Sequence, residues 1–233
     1  MKNNKLVLIY TLAATSVLVG CSKEDAQNVV LESDEKSEAE KIEIDKKNRL
    51  MESLSKYKED ESPLYVDGIL VVNKNYKLPA NFATQLDEEV LNQFNLMKED
   101  AKKQGLDINI RSGFRSTDTQ TMLYNNYVAK DGLEKASRYS AKPGHSEHES
   151  GLAIDISNGD AVKSIGDWFN ETPQAKWLYE NAYKYGFILR YPEGKEDITG
   201  YKYESWHYRY VGVEHSKNFA QNNLTLEEYL GLI

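Results

Sequence analysis

The stretch Ser146-Glu147-His148-Glu149-Ser150-Gly151-Leu152-Ala153-Ile154-Asp155 reads as a turn that runs into a strand. Gly151 permits the turn after His148, because glycine enters positive φ without a steric penalty. Along the strand, Leu152 and Ile154 face the core, while Ala153 and Asp155 face the other side. The small Ala153 leaves room for an ion, and an acid in an apolar run is costly to bury unless paired or bound to metal. With His145 just before it, the block also reads on its own as a surface loop with two histidines, followed by a capping acid.

A second block, Glu204-Ser205-Trp206-His207, supplies the partners. Two imidazoles and a carboxylate, from His148, His207 and Asp155, leave one position of a tetrahedral zinc open for water. That is the pattern of a catalytic rather than a structural site. Glu204 is then a candidate base, and the pair of blocks implies a metallohydrolase. Glu204 and His207 are three residues apart, so strand alternation sends them to opposite faces. They converge only if Glu204 lies on a turn or bulge just before the strand. The competing reading of this block alone is a half-buried aromatic strand, Tyr203 to Tyr210, with incidental polar residues. His145 competes as a ligand, but Pro143-Gly144 before it suggests a loop lip, and His215 falls on a surface helix near the C-terminus.

Outward from these blocks, helices and strands mix without a regular βαβ repeat. The expected fold is α+β, with a mainly antiparallel sheet flanked by helices and the metal site at the sheet. Leu70-Val71-Val72 is a strand candidate, and Leu86, Val90, Phe94, Met97 and Ala101 form a helical stripe that Gly105 stops. Leu106, Ile108 and Ile110 alternate as on a strand, and Ser116 caps a helix carrying Leu123, Tyr124, Tyr127 and Val128. Thr172-Pro173 opens a helix that Gly186 closes, Phe187–Arg190 and Trp206–Val211 read as strands, and Thr225-Leu226-Glu227-Glu228 is a capping box.

The chain has 233 residues, a hydrophobic fraction of 40% and 16 tyrosines, enough for a core plus a tail. A formal net charge of -8 argues against nucleic acid as a partner, since phosphate backbones select for Lys and Arg excess. A monomer is expected. Lys2 and Lys5 precede an apolar run from Leu6 to Val19, the length of a signal-peptide core and too short to span a bilayer comfortably. The run ends in Leu18-Val19-Gly20-Cys21, which resembles a bacterial lipobox. Residues 1–20 are therefore expected to be a lipoprotein signal peptide. Cys21, the only cysteine, becomes a lipidated membrane anchor facing outward in the cell envelope. The alternative is an uncleaved anchor with an incidental cysteine. Residues 21–61 are expected to be a charged tether, in which Ile42, Ile44, Leu50, Met51 and Leu54 favour a short helix. The folded domain is then 62–233.

Taken together, the blocks resemble the zinc D-alanyl carboxypeptidases that trim peptidoglycan stem peptides, the VanY and LdcB group. Ser146, His148, Gly151, Ala153 and Asp155 meet the pattern Ser-x-His-x-x-Gly-x-Ala-x-Asp, and Glu204, Trp206 and His207 meet its second half. Arg111-Ser112-Gly113-Phe114-Arg115-Ser116, Gln120, Arg138 to Gly144, Tyr185 to Tyr191 and Trp206 to Gly212 extend the likeness from about Leu70 to the C-terminus. The resemblance implies zinc bound by His148, Asp155 and His207, with Glu204 as general base. It implies that Arg115 stabilises the oxyanion or holds the substrate, that Gln120 and Ser146 contact the terminal D-Ala, and that Tyr191 lines the stem-peptide groove. The surroundings of Phe114-Arg115, Arg138-Tyr139-Ser140 and Gly200-Tyr201 look closer to the L,D-enzymes that shorten tetrapeptides. The alternatives are a D,D-carboxypeptidase acting on pentapeptides, an endopeptidase, and a non-catalytic wall-binding lipoprotein.

Overall fold

The structure is a computed structural model that describes residues 23–160 and 164–233. The expected signal peptide and Cys21 lie outside the described residues. Two compact units are distinguished, Met1–Ile44 and Asp45–Ile233. In the first, residues from Lys23 onward belong to helix α1 (Lys23–Lys56), with Ile42 and Ile44 exposed. The segment expected to be a tether is thus helical over most of its length. Its last turns lie in the second unit, where Leu50, Leu54 and Tyr57 pack on an apolar cluster. Among the described residues, no helix is long and apolar enough to cross a membrane.

After α1 the second unit continues with a hairpin, β1 (Leu64–Val66) and β2 (Ile69–Val71). Asp67 and Gly68 both take positive φ, the conformation that a two-residue turn between right-twisted strands requires. Helix α2 (Glu88–Lys103) is capped by the Asp87 carboxylate and buries Val90, Phe94, Met97 and Ala101. Strand β3 (Asn109–Ser112) begins beyond Leu106 and Ile108, later than alternation alone suggests. Helix α3 (Thr117–Asp131), capped by Ser116, buries only Gln120; Leu123 and Tyr127 instead line a cavity.

A short helix α4 (Leu133–Ala136) and a 3-10 turn, Glu147–Ser150, lead to β4 (Ala153–Ser157). There follow α5 (Pro173–Asn181), β5 (Phe187–Leu189), α6 (Glu196–Thr199), β6 (His207–Tyr210), α7 (Val213–Asn222) and α8 (Leu226–Leu230). Four strands form an antiparallel sheet in the order β3-β4-β6-β5. The mixed α and β architecture with antiparallel sheets is as expected.

Register decides where chemistry can occur. Ile154 pairs with Tyr208, and both enter the main core with α2 and α5, where each large apolar side chain contributes about 1.5–3 kcal/mol by burial. The neighbouring pair, Asp155 with His207, therefore emerges on the opposite face, next to Ser112 of β3. Ala153 pairs with Arg209, so the space left by the small side chain faces a guanidinium rather than an ion.

Candidate metal centre

Three elements bring His148, Asp155 and His207 together: the 3-10 turn, β4 and the first residue of β6. Their ligand atoms all lie within 4.8 Å of one another, and all three residues are buried. His148 Nε2 is 3.3 Å from Asp155 Oδ2, and His207 Nδ1 is 3.0 Å from Asp155 Oδ1. Ligand bonds of about 2.0–2.1 Å at a tetrahedral ion set ligand atoms roughly 3.3 Å apart, so the donor set fits zinc in both chemistry and spacing.

Each imidazole is oriented by its other nitrogen. His148 Nδ1 lies 2.7 Å from the Gly113 carbonyl, which accepts a hydrogen bond from Nδ1–H and leaves the Nε2 lone pair for a metal. His207 Nε2 lies 3.2 Å from Glu147 Oε2, which leaves Nδ1 for the metal. Tyr191 stacks on the His207 ring, with centroids 4.8 Å apart.

Gly151 ends the turn at φ +73, and a Cβ there would meet the Gln85 carbonyl oxygen at 2.5 Å. Only glycine fits. The turn is also braced by buried Glu149, whose carboxylate accepts from Gly144 N–H at 2.9 Å and Ser146 N–H at 3.3 Å.

Behind the centre lies a buried ionic network. Glu147 Oε1 accepts from Arg190 Nε and Arg209 Nη1, each at 2.8 Å, while Oε2 faces His207. Arg190 grips Glu227 with two bonds, of 3.0 and 2.7 Å. Arg209 Nη2 donates to the Leu70 carbonyl at 2.6 Å. Burial pushes the Glu147 carboxyl up, but the two guanidinium groups outweigh it and hold the group ionised.

The same balance separates the two imidazoles. Burial lowers His148 and prevails over the attraction of Asp155. Burial also opposes a proton on His207, but the bonds to Asp155 and Glu147 win and push it up to about 9. Asp155 falls well below the usual range, because the attraction of both imidazoles exceeds its desolvation.

Glu204 lies on the turn before β6, where its carbonyl accepts the His207 N–H at 3.2 Å. This is the geometry that lets residues three apart share one site. Only 8% exposed, its carboxyl is pushed by burial to about 8. Arg115 donates to Asp155 Oδ2 at 3.0 Å, to Ser112 Oγ at 3.1 Å and to Gln120 Oε1 at 3.3 Å. A cavity of about 460 Å³ is lined by Arg115, Ser146, His148, Asp155, Tyr191, Glu204 and His207, among others.

Gln120 stands behind this wall, its amide bridging Arg115 and the Ala141 carbonyl at 2.7 Å, and is not among the lining residues. His145 is directed to the Asn73 carbonyl at 2.8 Å, and His215 to the Tyr229 hydroxyl at 2.9 Å. Neither belongs to the cluster.

The family model described as VanY, D-alanyl-D-alanine carboxypeptidase, matches residues 83–213. The chain belongs to this family. It is 41% identical over 180 residues to the putative carboxypeptidase YodJ of Bacillus subtilis (strain 168), covering 69% of this chain and 66% of that relative's length. A solved structure of the LdcB LD-carboxypeptidase matches with a TM-score of 0.63 and 38% identity, over 73% of this chain and 93% of that one. A vancomycin resistance D,D-pentapeptidase VanY mutant, solved in complex with Zn(II), matches with a TM-score of 0.60 and 34% identity, over 69% of this chain and 97% of that one. The VanY match spans every candidate ligand together with Glu204 and Arg115.

Glu147, Arg190 and Arg209 carried no assigned role in the sequence reading. A signal was present, since Arg190 and Arg209 are lone cations in the aromatic runs Phe187–Tyr191 and Trp206–Tyr210. The argument that flagged Asp155 applies equally to them.

Proposed function

We propose that the chain is a zinc-dependent carboxypeptidase that removes the C-terminal D-Ala from peptidoglycan stem peptides, acting as an L,D-enzyme on tetrapeptides. The observation that carries the metal reading is the His148, Asp155 and His207 cluster, opening onto a cavity that also presents Glu204 and Arg115. Bound by these three residues, zinc supplies Lewis acidity toward the scissile carbonyl and makes water nucleophilic near neutral pH.

The chain's own groups do the rest. Glu204, on the wall of the same cavity, accepts a proton from the attacking water and returns it to the departing amine. Arg115 keeps its fork fixed on Asp155, Ser112 and Gln120 and presents fixed positive charge to the developing oxyanion or the terminal carboxylate. Tyr191 and Tyr201 pack at a tilt with centroids 4.7 Å apart and form an aromatic wall for the stem peptide, while Ser146 lines the same cavity.

The L,D assignment is supported by the Phe114-Arg115, Arg138-Tyr139-Ser140 and Gly200-Tyr201 surroundings. Mass spectrometry of purified muropeptides decides it. Conversion of tetrapeptide to tripeptide supports the reading, whereas conversion of pentapeptide to tetrapeptide alone replaces it with D,D action. The same reading includes a lipid anchor at Cys21 that holds the catalytic unit outside the membrane, with wall peptides as its partners. Replacing Cys21 with Ser and finding the protein still in the membrane fraction would count against that anchor.

A further inference from the structure

The ionic network behind the metal cluster extends beyond the residues that the family model matches. The match covers 83–213, yet the network reaches Glu227 on α8 and Asn73 just after β2. Glu227 accepts two bonds from Arg190, at 3.0 and 2.7 Å, and one from Asn73 Nδ2 at 3.0 Å. Arg190 in turn donates to Glu147, which faces His207 Nε2. Every charged member is buried, with Arg190 1% and Arg209 0% exposed.

We infer that Glu227 is a positioning residue for the metal ligand His207, acting through Arg190 and Glu147. The inference rests on the zinc reading above. Two guanidinium groups and two carboxylates balance one another in a space with little water, where an unmatched charge is felt strongly. With Glu227 present, Arg190 divides its charge between two acids, and Glu147 keeps enough negative charge to accept strongly from His207. With Glu227 neutral, both cations fall on Glu147 alone. Its hold on the His207 Nε2–H weakens, and the imidazole becomes a poorer donor through Nδ1.

A purely architectural role, docking α8, would also explain the buried grip, so the test must separate the two. Zinc dissociation constants are measured by competition with a chromophoric chelator for the wild type, Glu227→Gln, Glu147→Gln, the double variant and Lys195→Met. Lys195 bonds Glu228 on the same helix at 2.7 Å and lies outside the network, so its variant controls for loosened docking. Glu227→Gln is expected to weaken zinc about 3–10-fold and Glu147→Gln about 10–100-fold, the range for groups that orient a ligand. The double variant is expected to bind no more weakly than Glu147→Gln alone, and Lys195→Met to bind as the wild type does. Should Glu227→Gln fail to fold, Glu227→Asp serves; it keeps the charge, breaks the two-pronged grip and is expected to weaken zinc about twofold or more. Unchanged affinity in the folded Glu227 variants overturns the inference, as does an additive double variant or an equal loss in Lys195→Met. A wild type that takes up no zinc overturns the metal reading beneath it.

Discussion

His207 Nε2 lies 3.2 Å from Glu147 Oε2, while the ring's other nitrogen lies 3.0 Å from Asp155 Oδ1. One imidazole is thus held between two carboxylates of different standing. Asp155 shares the metal cluster, and Glu147 has its remaining oxygen committed to Arg190 and Arg209. The pairing fixes which nitrogen faces the cluster, and it follows from two local facts. Glu147 precedes His148 on one turn, and Arg209 follows His207 by two on one strand face.

That arrangement sets a pH dependence for the metal-free protein. His207 titrates at about 9 in the fold and near 6.5 when unfolded, so the stability it contributes is full below 6.5 and is lost as pH rises toward 9. Glu204 titrates at about 8 folded against about 4.5 unfolded, so the native state again binds the extra proton and stability again falls with rising pH. His148, lowered by burial, acts with the opposite sign below about 6.5. Denaturation midpoints of zinc-free protein should therefore fall between pH 6.5 and 8.5, and Glu204→Gln should flatten part of that fall. A midpoint that rises across this window would contradict both assignments.

Glu204→Gln keeps the turn and the volume of the side chain but removes its ability to carry a proton. Hydrolysis of a wall tetrapeptide should drop at least ~10²-fold while zinc content stays at the wild-type level. Near-normal turnover would remove Glu204 from the proton-transfer role.

Gly151 is a purely geometric prediction. Gly151→Ala places a Cβ against the Gln85 carbonyl oxygen at 2.5 Å, in a positive-φ position. Urea denaturation should show a loss of about 1–3 kcal/mol or more, the cost of forced backbone strain. Because this turn carries His148, zinc affinity should fall with it. A variant as stable as the wild type would mean that the turn accommodates a side chain without strain.

These features were unequally legible in the sequence. Asp155 announced itself as an acid in an apolar strand, and Gly151 marked the turn before it. The shared site of Glu204 and His207 was legible only as a condition, a turn before the strand, and β6 does begin at His207. Local pattern could not show that Ala153 faces Arg209, because the identity of a cross-strand partner depends on register between distant segments. The stripe on α3 misled for a related reason. Leu123 and Tyr127 have the spacing of core residues, yet they line the cavity, and the helix buries Gln120 instead. The charged segment after Cys21 resembled a solvated tether because its few apolar residues are widely spaced. Leu50 and Leu54 find an apolar cluster only once the distant C-terminal helix is in place.

The measurement closest to the centre of the account is zinc stoichiometry by elemental analysis of purified protein, for the wild type and for His148→Ala, Asp155→Ala and His207→Ala. About one zinc per chain in the wild type, with a clear loss in each of the three variants, is the predicted result. Full zinc retained in any folded variant of the three would contradict the shared site.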